Sequence, residues 1–291
     1  MFKGTYVALV TPFKNGAVDY DTLDKLVEFQ VKAGIAGIVP CGTTGESPTL
    51  DHEEHDEVIA RVIKRARGRI HVMAGTGSNS TAEAIDLTRH AERNGADSAL
   101  LVAPYYNRPT QEGLYQHFKA IAESTKLSLV IYNIPGRCAV EIMPETIARL
   151  AKIKNINAVK HATGSMDGAS ALRAMCDIDI LSGDDSMTLP LMSVGATGVI
   201  SVIANIVPKD MKALTDTALR HDFKKAEKLH RKMFPLAKGM LSLATNPIPV
   251  KTAMAMLGMC GGDLRLPLWP MDDSLKQKLR NTLKDYGLLK K

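Results

Sequence analysis

Short runs of β-branched and aliphatic residues recur along this 291-residue chain, each followed by a polar turn and a segment of helical periodicity. The eight runs cover residues 6–10, 35–39, 70–74, 98–103, 127–132, 156–160, 178–182 and 198–203. Strands that are apolar on both faces and joined by helices form parallel sheets, and eight in regular alternation favour closure into a ring. We therefore predict an α/β fold, a (β/α)8 TIM barrel. The alternative is an open, doubly wound sheet.

The strand pattern stops at Pro208, and the rest of the chain has helical periodicity. The predicted helices cover residues 209–220, 222–241, 249–257 and 272–286. No low-complexity linker separates them from the strands. We predict a catalytic barrel over residues 1–207 and a C-terminal helical region, residues 208–291, packed on the barrel.

Composition excludes several classes of protein. Hydrophobic residues make up 45% and charged residues 23%, as in ordinary globular proteins, and no apolar stretch approaches the ~18 residues of a membrane span. The net charge of +6 is dispersed, and its densest run, residues 64–69, is typical of a helix end and lacks interleaved aromatics. The four cysteines form no Cys-x-x-Cys pair, which fits a reducing compartment. Without a signal-peptide pattern, we expect a cytoplasmic protein with no nucleic-acid or membrane partner.

Two side chains at the ends of neighbouring predicted strands could carry chemistry, because barrel enzymes act from the carboxyl ends of their strands. Lys160 ends the sixth run among apolar neighbours, where a neutral amine could form a Schiff base with a carbonyl compound. Tyr132 ends the fifth run, and adjacent strands lie roughly 4.8 Å apart, so its hydroxyl could transfer protons beside that amine. The structural alternatives are a lysine that reaches solvent and a tyrosine that fills the barrel end.

Further loops suggest binding roles. Gly42-Thr43-Thr44-Gly45-Glu46 offers hydroxyls and backbone amides to a small anion, but it lacks the lysine of a nucleotide-binding loop. Arg137 could hold a carboxylate through two parallel hydrogen bonds, or could form a surface ion pair. His52 and His55 are three residues apart, not four as in the zinc protease motif, so we expect no metal site.

Taken in order, these loops resemble those of the dihydrodipicolinate synthase family, within the pyruvate-dependent class I aldolase superfamily. The matching segments are Gly42-Thr43-Thr44-Gly45-Glu46-Ser47, Pro104-Tyr105-Tyr106-Asn107-Arg108-Pro109, Tyr132-Asn133-Ile134-Pro135 with Arg137, Val159-Lys160 with Ala162-Thr163-Gly164, Ser182-Gly183-Asp184-Asp185, Gly198-Val199-Ile200-Ser201 and Asn246-Pro247-Ile248-Pro249-Val250-Lys251. The resemblance covers nearly the whole chain. It implies a lyase with 4-hydroxy-tetrahydrodipicolinate synthase activity, which condenses pyruvate with L-aspartate 4-semialdehyde in the first committed step toward diaminopimelate and lysine.

The resemblance also implies roles for individual residues, without any cofactor beyond the Schiff base. Lys160 would form the imine with pyruvate, and Tyr132, Thr43 and Tyr106 would relay protons, the last of these from a neighbouring subunit. The implied substrate contacts are Thr44, the backbone at Ile200, Gly183 and, for the semialdehyde carboxylate, Arg137. The expected assembly is a homotetramer, a dimer of dimers.

A feedback site for lysine is implied as well, by Ser47, His52, His55, Asn79, Glu83 and Tyr105. Two residues depart from the pattern of many relatives: His161 replaces a glutamate, and Gly136 replaces a serine. We expect the histidine to tune the site without abolishing activity. The functional alternatives are an N-acetylneuraminate lyase-like pyruvate aldolase and a non-catalytic, lysine-sensing barrel.

Overall fold

In the computed structural model, which describes residues 1–290, eight parallel strands form a closed barrel. Each strand pairs with its neighbours in sequence, and the last pairs with the first. The strands are β1 (Gly4–Ala8), β2 (Gly37–Val39), β3 (His71–Gly75), β4 (Ser98–Val102), β5 (Ser128–Asn133), β6 (Ile156–His161), β7 (Asp179–Ser182) and β8 (Gly198–Ser201). The predicted (β/α)8 TIM barrel is confirmed, and the open sheet is excluded.

Barrel closure depends on a close backbone approach between β1 and β8. Gly4 lies opposite Gly198 in the register, and a Cβ atom on Gly198 would stand 2.0 Å from the Gly4 carbonyl oxygen. A larger residue at this position would force the two strands apart, so glycine is required there.

Helices surround the barrel and continue beyond it. Within residues 1–290 they are α1 (Tyr20–Ala33), α2 (His52–Ala66), α3 (Thr81–Arg93), α4 (Gln111–Glu123), α5 (Pro135–Cys138), α6 (Pro144–Leu150), α7 (Met166–Met175), α8 (Thr188–Ser193), α9 (Pro208–Leu219), α10 (Phe223–Ser242), α11 (Ile248–Met256) and α12 (Asp273–Tyr286). The last four match the predicted C-terminal helices. Helix α9 packs on β1, and α10 packs on α9 and α12. Lys291, the final residue of the predicted helical region, lies outside the described residues.

The core has two parts, because each strand buries side chains on both faces. Side chains that point into the barrel, including Tyr6, Met73 and Leu181, form one cluster, and Tyr132 and Ile200 belong to it. A larger cluster lies between the strands and the helices. Among the helices of residues 1–290, none combines the length and the apolar character needed to cross a membrane. The interior cluster fills the barrel and leaves its carboxyl end as the place where polar groups converge.

Candidate active site

Lys160 and Tyr132 lie side by side at the carboxyl end of the barrel. They are direct register partners on β6 and β5, and the Lys160 Nζ atom lies 4.0 Å from the centroid of the Tyr132 ring. Both side chains are buried, at 6% and 5% exposure. The amine is therefore held against an aromatic face and away from bulk water, as the strand pattern predicted.

Burial changes the acid-base behaviour of this pair. Desolvation lowers the pKa of Lys160 to about 7, helped by the positive charge of Arg137 and opposed by the negative charge of Asp185. Desolvation also raises the pKa of Tyr132, while Arg137 and a hydrogen bond with Thr43 act in the opposite direction. Near neutral pH a large fraction of the lysine is thus an unprotonated, nucleophilic amine beside a protonated phenol.

The loop after β2 presents Thr43 and Thr44 to the same space. Cys41 and Glu46 bound this loop with φ angles of 53° and 55°, so the chain turns sharply at each end. Thr44 is 2% exposed, and its Oγ1 atom lies 3.0 Å from the Asn246 Nδ2 atom. A residue of the C-terminal region therefore fixes a hydroxyl of the loop.

One cavity of about 680 Å³ brings most of the predicted substrate contacts together. It is lined by Lys160, Tyr132, Thr43, Thr44, Arg137 and Gly183, and also by Asn246 from the C-terminal region. The Arg137 Nη2 atom donates to the Asn246 carbonyl oxygen at 3.1 Å. The Arg137 side chain lines the cavity and is otherwise exposed.

The two backbone contacts differ in position. A Cβ atom on Gly183 would lie 2.6 Å from the Ala162 Cβ atom and 3.2 Å from the Lys160 Cε atom, so Gly183 provides room for the lysine. Ile200 lies deeper, at 1% exposure, and its backbone pairs with Tyr6 across β8 and β1. Val202, two residues later, lines the cavity in its place.

Tyr106 is not brought to the site. Its side chain is 90% exposed, its φ angle is 74°, and it lines neither of the cavities described here. Within this chain it cannot complete a relay with Thr43 and Tyr132.

A second cavity, of about 380 Å³, contains most of the predicted lysine-site residues. It is lined by Ser47, His52, His55, Glu83 and Tyr105, and also by Thr43, Tyr132 and Arg137. The His52 Nε2 atom lies 2.9 Å from Glu83, which also accepts a hydrogen bond from Ser78. Asn79 lies next to this group, where its Nδ2 atom donates to the Tyr105 carbonyl oxygen at 3.1 Å. The two cavities share the Thr43–Tyr132 pair.

The two departures from the family pattern have different surroundings. His161 is buried, its Nε2–H donates to the Ser165 carbonyl oxygen at 2.9 Å, and its Nδ1 atom has no partner within the described chain. Burial lowers the pKa of His161, so the ring is neutral where a glutamate would be charged. Gly136 is exposed, and a Cβ atom there would meet no neighbour within 4 Å.

Sequence reasoning missed three residues that support the site. Asn246 links Thr44 to Arg137 from outside the barrel. The Lys251 Nζ atom lies 2.5 Å from the Glu46 Oε1 atom, and both side chains have 0% exposure. Asp185 accepts hydrogen bonds from two backbone amides after β8. Three features of the sequence could have identified them: Asn246 is a polar residue in the matching segment 246–251, Lys251 is a lysine among apolar helix residues, and Asp185 is the second of two acids after Gly183.

Within the described residues, no group of three or more His, Cys, Asp or Glu side chains is arranged to hold a metal ion.

Comparisons with known proteins agree with this geometry. The chain is 54% identical over 291 residues to the 4-hydroxy-tetrahydrodipicolinate synthase of Geotalea uraniireducens, covering 99% of this chain and 100% of that protein. The crystal structure of dihydrodipicolinate synthase from Aquifex aeolicus matches with a TM-score of 0.98 at 51% identity and covers 100% of both chains.

A synthase from Cyanidioschyzon merolae, solved with lysine bound, matches at 37% identity with a TM-score of 0.96 and covers 99% of both chains. The sequence profile of the Dihydrodipicolinate synthetase family matches residues 1–286. The whole-length match, together with a buried lysine beside a tyrosine at the end of a closed barrel, establishes that this chain belongs to the dihydrodipicolinate synthetase family.

Proposed function

We propose that Lys160 is the nucleophile through which this chain condenses pyruvate with L-aspartate 4-semialdehyde, the reaction of a 4-hydroxy-tetrahydrodipicolinate synthase. The family and its closely related members carry out this lyase reaction, the first committed step toward diaminopimelate and lysine. The observation that supports the assignment of Lys160 is a buried amine with a pKa lowered to about 7, 4.0 Å from the Tyr132 ring.

The covalent steps follow from that amine. Lys160 attacks C2 of pyruvate, and the carbonyl oxygen leaves as water, which gives a cationic imine. Loss of a C3 proton converts the imine into an enamine, whose C3 carbon adds to the aldehyde of the semialdehyde. The amino group of the semialdehyde then attacks C2 and displaces Lys160, which closes the ring and frees the enzyme. No step requires a metal or an organic cofactor.

Proton movements in these steps need a group beside the reacting carbon. Tyr132 is the proposed carrier, and its contact with Thr43 provides a first connection out of the buried site. Arg137 is proposed to hold the semialdehyde carboxylate, because its planar fork matches a carboxylate and its side chain lines the cavity. Thr44, Gly183 and the backbone at Ile200 are the proposed contacts of pyruvate.

Tyr106 is proposed to complete the relay in a neighbouring subunit. Its 90% exposure and its absence from the lining of both cavities support this assignment, since an exposed aromatic side chain of this size is well suited to an interface. The proposed assembly is a homotetramer made of two dimers, and the proposed location is the cytoplasm. Light scattering at micromolar concentration tests the assembly, and a monomer that is fully active contradicts it.

Lysine is the proposed feedback effector at Ser47, His52, His55, Asn79, Glu83 and Tyr105. A related synthase has been solved with lysine bound, and Glu83 supplies a carboxylate that suits the ligand's ammonium groups. The effector cavity shares Thr43 and Tyr132 with the active site, so occupation could disturb the relay. Titration of the purified enzyme with lysine tests this, and activity unchanged up to millimolar lysine refutes it.

The alternatives are not favoured. The relatives described above are synthases, not N-acetylneuraminate lyases, and a non-catalytic sensor would have no use for a neutral, buried amine. Borohydride reduction with pyruvate, followed by peptide mass mapping, tests the central assignment. We expect a stable adduct on Lys160 and none in Lys160→Ala. An adduct on another residue, or full condensation activity in Lys160→Ala, would refute it.

A further inference from the structure

Asp185 ties together two strand ends beneath the active-site cavity. It follows β7, is 3% exposed, and does not line the cavity itself. Its Oδ2 atom accepts hydrogen bonds from the backbone amides of Val202 and Ile203, each at 3.0 Å. The carboxylate therefore holds the segment that leaves β8, on which Val202 lines the cavity.

The second oxygen of this carboxylate has no partner. Oδ1 is buried without a hydrogen bond in the described chain, which is costly for an ionised group. Burial raises the pKa of Asp185 to about 6, while the hydrogen bonds that the carboxylate accepts oppose the rise. The group is thus ionised at neutral pH, although an uncharged acceptor could hold the same two amides.

Lys160, on the neighbouring strand, is the basic group on which this charge acts. β6 lies next to β7, and the Lys160 Cε atom lies 3.2 Å from where a Cβ atom on Gly183 would stand, two residues before Asp185. The negative charge of Asp185 opposes the effect of burial on the lysine. The other titratable groups around Lys160 are Tyr132, which stays protonated, Arg137, Asp184 and the neutral His161.

We propose that Asp185 is a positioning residue whose negative charge stabilises the cationic imine formed between Lys160 and pyruvate. The inference rests on the proposed role of Lys160. When the neutral amine condenses with pyruvate, one C–N bond forms, water leaves, and one proton is taken up to give the cation. A nearby anion stabilises the cationic imine and the protonated lysine alike. It therefore strengthens pyruvate binding only at pH values where the free lysine is neutral.

This charge has a signature in the pH dependence of pyruvate binding. Near pH 5.5 Asp185, whose pKa is about 6, is itself largely protonated, and the lysine, below its own pKa of about 7, is already a cation before pyruvate binds. Above that pKa binding creates the charge. Removal of the carboxylate should therefore leave the affinity for pyruvate nearly unchanged at low pH and weaken it about tenfold at high pH, for a shift of about one pKa unit.

Asp185→Asn provides a clean test, because both backbone amides bond to the same oxygen and the amide oxygen of asparagine can replace it. The dissociation constant of pyruvate is measured by titration calorimetry at about pH 5.5 and about pH 8.5. Borohydride trapping with pyruvate and peptide mapping on the unmodified enzyme run in parallel. If Asp185→Asn does not fold, Asp185→Ser is a second uncharged variant for the same comparison. Thermal unfolding shows whether each variant is folded.

The matched control is Asp179→Asn, which removes a carboxylate from the opposite end of the same strand, where it accepts a hydrogen bond from the Phe2 amide. It should leave the affinity for pyruvate unchanged at both pH values. Equal affinity of Asp185→Asn and the unmodified enzyme at both values, or equal weakening at both, would overturn the proposal. If borohydride trapping of the unmodified enzyme gives no adduct on Lys160, the proposed function is wrong, and the inference about Asp185 is wrong too. The trapping experiment thus distinguishes a failure of the proposed function from a failure of the Asp185 inference alone.

Discussion

The ion pair between Lys251 and Glu46 connects α11 to the loop that carries Thr43 and Thr44, and its removal should destabilise the protein strongly. Both side chains have 0% exposure, and their charged atoms lie 2.5 Å apart. The Lys251 Nζ atom also lies 4.2 Å from the centroid of the Phe13 ring. In Lys251→Met the volume is nearly kept, but the Glu46 carboxylate loses its counter-charge and retains a single hydrogen bond, from the Arg265 amide at 3.2 Å.

Removal of one partner of a buried ion pair costs about 3–5 kcal/mol, because the other charge stays buried and unpaired. At about 2 °C per kcal/mol for a chain of this size, the unfolding midpoint should fall by roughly 6–10 °C. The double variant Glu46→Gln/Lys251→Met removes both charges and keeps an oxygen for the Arg265 amide. It should recover most of that loss, since replacement of a buried ion pair by neutral groups is often nearly neutral in stability.

Differential scanning calorimetry at one protein concentration and pH compares the single variant, the double variant and the unmodified enzyme. Lys228→Met, on the exposed side of α10, is the control for the loss of a lysine and should change the midpoint by less than about 2 °C. A Lys251→Met midpoint within about 2 °C of the unmodified enzyme, or a double variant no more stable than the single one, would refute the reasoning.

Three further outcomes are expected. Arg137→Lys should raise the KM for the semialdehyde by about 10-fold or more, because lysine lacks the planar fork, while the yield of the trapped pyruvate adduct stays the same. Gly183→Ala should lower that yield, since its methyl group would stand 3.2 Å from the Lys160 Cε atom and 2.6 Å from Ala162; a normal yield would show that the backbone moves freely there. Burial lowers the pKa of His117 to about 4. As the pH falls below about 6.5, this histidine therefore becomes protonated in the unfolded chain but not in the folded protein, and the free energy of unfolding decreases. His117→Gln should remove about 2 kcal/mol of the loss between about pH 7 and pH 5 in urea unfolding, and an unchanged loss would assign it to other groups.

The sequence predicted the barrel and the proximity of Lys160 to Tyr132 because both depend on local patterns. Alternation of apolar runs and helical segments gave eight strands close to those observed, and the order of parallel strands places consecutive ends side by side. Lys160 and Tyr132 each lie one residue before the end of consecutive strands, so their contact follows from topology alone. The ends of the C-terminal helices were predicted equally well, because helical periodicity is also local.

Contacts between distant segments could not be predicted in the same way. Asn246 and Thr44 are 202 residues apart, and their contact depends on how α10 and α11 dock on the barrel. Lys251 is the one charged residue of a largely apolar helix, a pattern that gives no indication of whether it faces solvent or a buried acid. Asp185 is one of two adjacent acids, and only the observed hydrogen bonds distinguish it from Asp184.

The C-terminal helices therefore support the candidate active site. Asn246 holds Thr44 and Arg137, and Lys251 neutralises the acid that ends the same loop, so two predicted substrate contacts take their positions from residues outside the barrel strands. Asp185 holds the turn after β8 through two backbone amides, and its negative charge opposes the effect of burial on the pKa of Lys160. The barrel strands alone supply Lys160 and Tyr132. The buried carboxylates near them, Glu46 and Asp185, are costly to bury, and partners from distant parts of the chain offset that cost through an ion pair and hydrogen bonds.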